Sequence, residues 1–146
     1  MLPSISVVMS VYNGAEHLRE SMDSVLSQES VGFEFIIVND GSIDESGEIL
    51  DGYAKNDTRV RIIHQENRGL TRALIRGCTE SRGKYIARQD VGDVSMKKRL
   101  ALQKEALDAN DELFFVSCWT EYCGPEWEFL YMVEGTGVAV LATNII

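Results

Sequence analysis

Short runs of β-branched and aromatic residues alternate along the chain with stretches in which apolar residues recur every three or four positions. The runs predict strands, at residues 5–11, 33–38, 60–63, 85–88 and 113–117. The recurring pattern predicts amphipathic helices, at about 15–27, from about Ser42 through Ala54, from Leu70 to about Arg82, and at about 96–110. The order βαβαβαβαβ with short connections favours a mainly parallel sheet with helices on both faces.

Polar residues mark two of the predicted helix starts. Ser42 and Glu45 fit a capping box, in which two side chains satisfy free backbone N–H groups at the start of a helix. Ser95 is expected to cap the helix that follows it.

From Cys118 onward the pattern weakens, and one further strand is expected between Gly137 and Asn144. The aromatic residues from Trp119 to Tyr131 are interpreted as core packing, because aromatic side chains stabilise mainly through burial. Contact with a partner and stacking on an acceptor sugar stay open for them.

Length and charge narrow the function classes. A chain of 146 residues is expected to form one domain. The net charge of −9 disfavours nucleic acid as a partner. Nine of the fourteen Lys and Arg residues nevertheless lie between Arg68 and Arg99, opposed by three acidic residues. Such a basic region suits an anionic small ligand, whereas Arg72 and Arg76, four apart, are interpreted as a solvated helix face.

The cysteine count and the apolar stretches bear on location. Three cysteines, an odd number, argue against a disulfide framework and favour a reducing compartment. The amino terminus has no basic leader, and residues 138–146 are too short and interrupted to span a bilayer. A cytoplasmic protein without a transmembrane segment is therefore expected.

Polar turns follow four of the predicted strands. Because ligands bind at the carboxyl ends of strands in such sheets, the side chains of these turns are expected at one edge. They are Tyr12, Asp40, Asn67, Arg68, Arg88, Asp90 and Asp93. Asp90 and Asp93 are three residues apart with Gly92 between them, and carboxylates so placed suit Mg²⁺ or Mn²⁺ held together with a substrate phosphate. The alternative is a polar turn with Asp93 or Ser95 as a helix N-cap.

Other common nucleotide and hydrolase motifs are missing from the sequence. It contains no G-x-G-x-x-G after the first strand and no G-x-x-x-x-G-K-[ST], which argues against a dinucleotide-binding Rossmann site and a P-loop. It contains no G-x-S-x-G nucleophile elbow.

Four segments in order resemble family 2 glycosyltransferases of the GT-A fold. They are Ser6 to Asn13, Ile36 to Asp44, Asn67 to Leu70, and Gly83 to Asp90. The resemblance runs from about Ser4 to Tyr122. It implies a Rossmann-like, three-layer α/β/α sandwich that spans residues 1–146 as a single nucleotide-diphospho-sugar-binding domain. The domain would be truncated on its acceptor-binding side.

The resemblance also implies roles for individual residues. Tyr12 and Asn13 would border the nucleotide base, and Asp40 would accept a hydrogen bond from it, most often from uracil. Asn67, Arg68 and Gly69 would line the nucleotide and diphosphate. Arg88 and Asp90 would lie near the ribose and sugar, and Asp90 with Asp93 would hold the divalent cation, Mg²⁺ or Mn²⁺. The sugar would pass with inversion from the nucleotide to a saccharide or other hydroxyl acceptor.

The sequence departs from the family pattern in two places. The family usually shows Asp-x-Asp-Asp at the aspartate turn, and Gly92 stands at the third position here. No carboxylate lies in a recognisable catalytic-base motif; the candidates are Glu121, Glu126, Glu128 and Glu134.

Three functions are therefore compared. A glycosyltransferase domain that uses a UDP-sugar is expected first. A non-catalytic nucleotide-sugar-binding or regulatory module, which Gly92 and the missing base favour, is the alternative. A nucleotidyltransferase is disfavoured because the glycine-rich, basic signature after the first strand is absent. The sugar, the acceptor and the oligomeric state are left open, with an oligomer among the alternatives.

Overall fold

A computed structural model describes residues 2–118, 120–123, 129–133 and 142–145. The chain divides into two compact units. The first contains Met1–Arg19 and Gly32–Val91, and the second contains Glu20–Val31 and Gly92–Ile146. Helix α1, Ala15–Leu26, begins in the first unit and ends in the second.

The first unit is built on a four-stranded parallel sheet. Its strands are β1 (Ile5–Val11), β2 (Phe33–Asp40), β3 (Val60–Gln65) and β4 (Tyr85–Gln89), in the order β3-β2-β1-β4. Every residue of β2 is buried, as is expected of a central parallel strand covered on both faces. The predicted parallel sheet is therefore confirmed.

Two helices of the first unit cover the sheet: α2 (Ser46–Asn56) connects β2 to β3, and α3 (Leu70–Thr79) connects β3 to β4. The two connections run in opposite directions across the sheet, so right-handed crossovers place these helices on opposite faces. Helix α3 approaches β1 closely, because a Cβ added at Gly77 would lie 2.5 Å from Val8 Cγ1.

A buried carboxylate, Glu34, lies on β2 near the amino ends of the strands of this sheet. Glu34 Oε1 accepts hydrogen bonds from Ser6 Oγ (2.8 Å) and from Arg82 N–H (2.8 Å). Glu34 Oε2 accepts from Arg82 Nε (3.0 Å) and from its terminal nitrogen (2.7 Å). Burial alone would raise the pKa of Glu34, but the bonds from Arg82 and Ser6 outweigh it and the pKa lies below its usual value. This network joins β1, β2 and the α3–β4 turn.

The second unit contains a helix and a small mixed sheet. Helix α4 spans Arg99–Ala109, and the strands are β5 (Asp93–Ser95), β6 (Thr120–Cys123), β7 (Phe129–Val133) and β8 (Ala142–Ile145), in the order β5-β8-β6-β7. Buried polar side chains of α1 and its end hold residues 92–100 in place. Ser21 Oγ accepts from Gly92 N–H (2.9 Å), Ser24 Oγ accepts from Ser95 N–H (3.1 Å), and Gln28 Oε1 accepts from Leu100 N–H (3.0 Å).

Several local predictions are wrong. Residues 113–117 form no strand, and Phe114 and Phe115 are 97% and 79% exposed. A short apolar run also suits a segment outside the sheets, and periodicity alone does not separate the two.

The two capping predictions are also wrong. Helix α2 starts at Ser46, its N-cap Glu45 makes no side-chain cap, and the Ser42 hydroxyl accepts a bond from Asn13 N–H instead. Ser95 ends β5, and α4 begins only at Arg99.

Only some of the residues for which the carboxyl-terminal predictions were made are described by the structure. Strand β8 overlaps the end of the strand expected at 137–144, whose residues 137–141 lie outside the described residues. Trp119 and Trp127 also lie outside them. In the part of the chain that the structure describes, no helix has both the length and the apolar character needed to cross a membrane.

Candidate functional site

The carboxyl end of β2 carries a buried carboxylate, Asp40, that holds the turn after β3 by hydrogen bonds. Asp40 is 2% exposed. Its Oδ1 accepts hydrogen bonds from Gln65 Nε2 (2.6 Å) and Arg68 N–H (2.9 Å), and its Oδ2 accepts from Gly69 N–H (2.8 Å). Burial alone would raise the pKa of Asp40, but these hydrogen bonds outweigh it and the pKa lies below its usual value. The ionised form therefore shapes the turn from Gln65 to Gly69.

Gly41 allows the two turns to approach each other. Its φ is +76°, in the region that favours glycine, and an added Cβ would lie 2.7 Å from Asn67 N. The backbone of Asn67 therefore packs directly against the turn that follows β2.

The turn between β1 and α1 is joined to the same β2–α2 turn by reciprocal hydrogen bonds. Asn13 N–H donates to Ser42 Oγ (3.0 Å), and Ile43 N–H donates to Asn13 Oδ1 (2.9 Å). Asp44 Oδ2 accepts from Ala15 N–H (3.1 Å), so a residue from a distant turn caps the start of α1. Asn13 thus supports the turn that presents the exposed ring of Tyr12.

These turns border a cavity of about 500 Å³ within the first unit. Its lining residues are Ser10, Tyr12, Asp40, Asn67, Gly69, Leu70, Arg88, Asp90 and Val91. Gly69 and Leu70 lie at the amino end of α3, which has no side-chain cap and no acidic residue in its first turn. The free N–H groups at such a helix end favour an anion.

An ion pair forms the β4 side of the cavity. Arg88 Nε and a terminal nitrogen donate to Asp90 Oδ1 (2.9 Å) and Oδ2 (2.7 Å). Both side chains are partly exposed, at 58% and 42%. The two hydrogen bonds orient the guanidinium and the carboxylate relative to each other at the strand end.

The carboxylate oxygens at the cavity suit a cation that is also bound by a substrate phosphate better than a cation that is held by protein side chains alone. Each oxygen of Asp90 keeps acceptor capacity beside Arg88. Among the described residues, no group of three or more His, Cys, Asp or Glu side chains could hold a metal ion. Mg²⁺ is commonly bound by one or two carboxylates and substrate phosphates. Asp93 starts β5 in the second unit, so its pairing with Asp90 stays a prediction.

The structure brings together five of the predicted binding residues at the cavity: Tyr12, Asp40, Asn67, Arg88 and Asp90. Arg68 contributes its backbone N–H to Asp40, and Asn13 bonds within the turns. Sequence reasoning missed Ser10, Leu70 and Val91. Ser10 interrupts an otherwise apolar strand end, which is a usable signal, whereas Leu70 and Val91 look like ordinary core residues in the sequence.

Comparison with known proteins connects this geometry to a family. The model of glycosyl transferase family 2 matches residues 6–134. The chain is 40% identical over 121 residues to the uncharacterized glycosyltransferase EpsJ of Bacillus subtilis, covering 81% of this chain and 34% of EpsJ. It is 32% identical over 137 residues to the glycosyltransferase GlyG of Streptococcus pneumoniae, covering 93% of this chain and 46% of GlyG. The chain thus spans about a third to a half of these relatives.

Solved structures share the fold. S. aureus TarS in complex with UDP-GlcNAc superposes with a TM-score of 0.69 at 20% identity, over 92% of this chain and 36% of that one. The mannosyltransferase PcManGT of Pyrobaculum calidifontis, in complex with GDP-Man and Mn²⁺, gives 0.69 at 19% identity, over 84% and 36%. This likeness confirms the predicted GT-A type of α/β fold.

Proposed function

The chain belongs to glycosyl transferase family 2, and on that premise we propose that it binds a nucleotide-diphospho-sugar, a UDP-sugar, in the 500 Å³ cavity of its first unit. The observation that carries the proposal is the convergence of Asp40, Asn67, Arg88 and Asp90 on that cavity, from the carboxyl ends of three different strands and the turns that follow them. A cavity on which polar side chains converge, at the carboxyl edge of a parallel sheet, is where such folds bind ligands.

Each side of the cavity has a role in this proposal. Asp40 accepts an N–H of the base, and the exposed ring of Tyr12 borders it. Asn67, Arg68 and the amino end of α3 line the diphosphate, and the N–H groups in the first turn of α3 stabilise its negative charge. Arg88 lies near the ribose and sugar, held in position by Asp90.

A divalent cation, Mg²⁺ or Mn²⁺, belongs to the proposal as well. Asp90 and Asp93 are its expected ligands, and when bound it stabilises the negative charge of the departing diphosphate as a Lewis acid. PcManGT, one of the proteins with this fold, was solved with Mn²⁺.

The reaction we propose is transfer of the sugar, with inversion at its anomeric carbon, to a saccharide or another hydroxyl acceptor, as in polysaccharide synthesis. The acceptor hydroxyl attacks from the face opposite the leaving diphosphate, and a carboxylate takes its proton. Of the candidate bases, Glu121 is half-buried on β6, and Glu126, Glu128 and Glu134 lie outside the described residues. The three cysteines are free thiols, which supports a cytoplasmic location as part of this proposal.

Isothermal titration calorimetry of the chain with UDP, with and without Mn²⁺, tests the proposal. Asp40→Asn keeps one acceptor oxygen and places its NH₂ group against the N–H of either Arg68 or Gly69. We expect it to weaken UDP binding by about tenfold or more, because the turn loses one acceptor and the base loses a carboxylate. Asp111→Asn, at an exposed turn, is the matched control and should bind UDP like the unmodified chain. If no nucleoside diphosphate binds under either condition, the proposal is wrong.

Gly92 supports a second candidate, a nucleotide-sugar-binding module without turnover. Its position lacks the carboxylate that the family usually carries at the aspartate turn, and its φ of +94° suits glycine. Incubating the chain with UDP-sugars and saccharide acceptors separates the two candidates. Release of UDP with formation of a glycosylated product supports the transferase, whereas tight binding without product supports the module.

A further inference from the structure

The acceptor capacity of Asp40 is nearly used up within the protein. An ionised carboxylate offers about four lone-pair positions on its two oxygens and donates no hydrogen bond. Gln65 Nε2 and Arg68 N–H occupy Oδ1, and Gly69 N–H occupies one position on Oδ2. By this count one acceptor position on Oδ2 is unfilled, and Asp40 lines the cavity.

From this geometry we infer that Gln65 is a specificity-determining residue, which makes Asp40 select a base with a single imide N–H, uracil, against guanine. The inference rests on the proposed function, because it assumes that the base of a nucleoside diphosphate meets Asp40. It adds the reason for the choice of base and names the residue that makes it.

Three features hold Gln65 in this role. It ends β3 directly beside Asp40 in the parallel register of β2 and β3. Its Oε1 accepts a hydrogen bond from an Arg76 terminal nitrogen at 3.1 Å, while its Nε2 donates to Asp40 Oδ1 at 2.6 Å. A reversed amide would place NH₂ against the Arg76 guanidinium and the carbonyl against the carboxylate. Arg76 therefore keeps the amide donor of Gln65 on Asp40.

The two bases differ in the number of donors that they present to a carboxylate. Uracil offers one, N3–H, between two carbonyl groups, and this donor matches the single free position. Guanine offers N1–H and the 2-amino group side by side, a fork that matches a carboxylate with both oxygens free, as a guanidinium does. With Oδ1 already occupied, one guanine donor enters a buried site without a partner, and an unsatisfied buried donor weakens binding.

Cytosine provides a further comparison, because it presents a ring nitrogen with a lone pair where uracil presents N3–H. The ionised carboxylate repels that lone pair. The low pKa of Asp40, maintained against burial by the bonds from Gln65, Arg68 and Gly69, is consistent with an ionised acceptor at neutral pH. UDP and CDP thus test whether Asp40 contacts the base at all, and UDP and GDP test how many acceptor positions it offers.

Calorimetric titration of the chain with UDP, GDP and CDP, all at one Mn²⁺ concentration, tests the inference. The unmodified chain should prefer UDP over GDP by about tenfold to a hundredfold. Gln65→Met keeps the bulk of the side chain and frees the Oδ1 position, so the preference should fall to about threefold or less, mainly through tighter GDP binding. Arg76→Met should move the ratio in the same direction. Arg72→Met, one helical turn earlier and exposed, is its matched control and should leave the ratio unchanged.

The ratio of affinities separates selection from simple loosening of the turn. If Gln65 only stabilises residues 65–69, its loss lowers the affinities for UDP and GDP by the same factor and leaves the ratio unchanged, which would overturn the inference. Equal binding of UDP and GDP by the unmodified chain would also overturn it while leaving nucleotide binding intact. If none of the three nucleotides binds, the proposed function is wrong and the inference falls with it.

Discussion

Replacing Gly92 by aspartate restores the carboxylate that the family usually carries at this position, and it measures how strongly the turn depends on glycine. The backbone of Gly92 has φ +94°, which residues with a side chain rarely adopt. Its N–H donates to the buried Ser21 Oγ at 2.9 Å, so α1 holds the turn in this conformation. The new side chain therefore enters a backbone that opposes it.

The magnitude follows from the cost of that conformation. We expect Gly92→Asp to lower the free energy of unfolding by about 1–2 kcal/mol. In a protein of this size the loss corresponds to a fall in Tm of roughly 3–8 °C. Gly92→Ala carries the same backbone cost without the carboxylate, so both variants should lose similar stability without metal. A ligand at 100 times its dissociation constant stabilises by about 2.7 kcal/mol, enough to offset the strain.

Differential scanning fluorimetry of the unmodified chain and both variants, with UDP and with or without Mn²⁺, provides the assay. UDP and Mn²⁺ should raise the Tm of Gly92→Asp more than that of Gly92→Ala, because only the aspartate adds a carboxylate for the cation. An unchanged Tm in Gly92→Ala would refute the argument from φ. If Mn²⁺ raises the Tm of both variants equally, the residue at this position does not reach the cation, and the interpretation of the turn as an aspartate motif fails.

Two further predictions concern the buried carboxylates. Glu34→Gln should lower the free energy of unfolding, measured by urea denaturation, by about 1–2 kcal/mol, because charge-assisted bonds to a half-exposed Arg82 are lost. The control Glu66→Gln, at an exposed position, should change the free energy of unfolding little. Equal effects of the two substitutions would contradict the role of the network. The folded-state pKa values of Glu34 and Asp40 are lowered, so their contribution is complete above the unfolded pKa of about 4 and is lost as pH falls below it. The urea concentration at the unfolding midpoint should decrease as the pH is lowered from 7 to 3, and this decrease should be smaller in Glu34→Gln. An equally steep decrease in the variant would argue against a lowered pKa of Glu34.

The strands of the first unit could be predicted well because their signal is local. Residues 5–11 and 33–38 are mostly apolar, and nearly all of them are buried. Chain order then placed the polar residues at and after the ends of β1, β2, β3 and β4 at one edge, and five of the residues predicted there line one cavity. The strand predicted at 113–117 failed, because an apolar run of that length carries no information about whether a neighbouring strand pairs with it.

The helix caps failed for a different reason. Ser42 has the right neighbour in sequence for a capping box, but its hydroxyl accepts a bond from Asn13 N–H, 29 residues away. The start of α1 is capped by Asp44, also 29 residues from Ala15. A polar side chain in a local motif can instead bond to a distant group that the fold brings near it. The sequence alone does not give the distances between such groups.

The resemblance of four sequence segments indicated the family, whereas hydrophobic pattern and chain order alone were sufficient for the parallel sheet of the first unit and for the edge that carries its polar turns. Those features depend on which residues avoid water and on short connections, and both can be read along the chain. The tertiary structure decided how each polar group at that edge is bonded. Asp40 is shared among Gln65, Arg68 and Gly69, 25 to 29 residues away. Hydrogen bonds form between groups that packing brings within 3 Å of each other, so the acceptor left for a ligand emerges only when the turns are assembled.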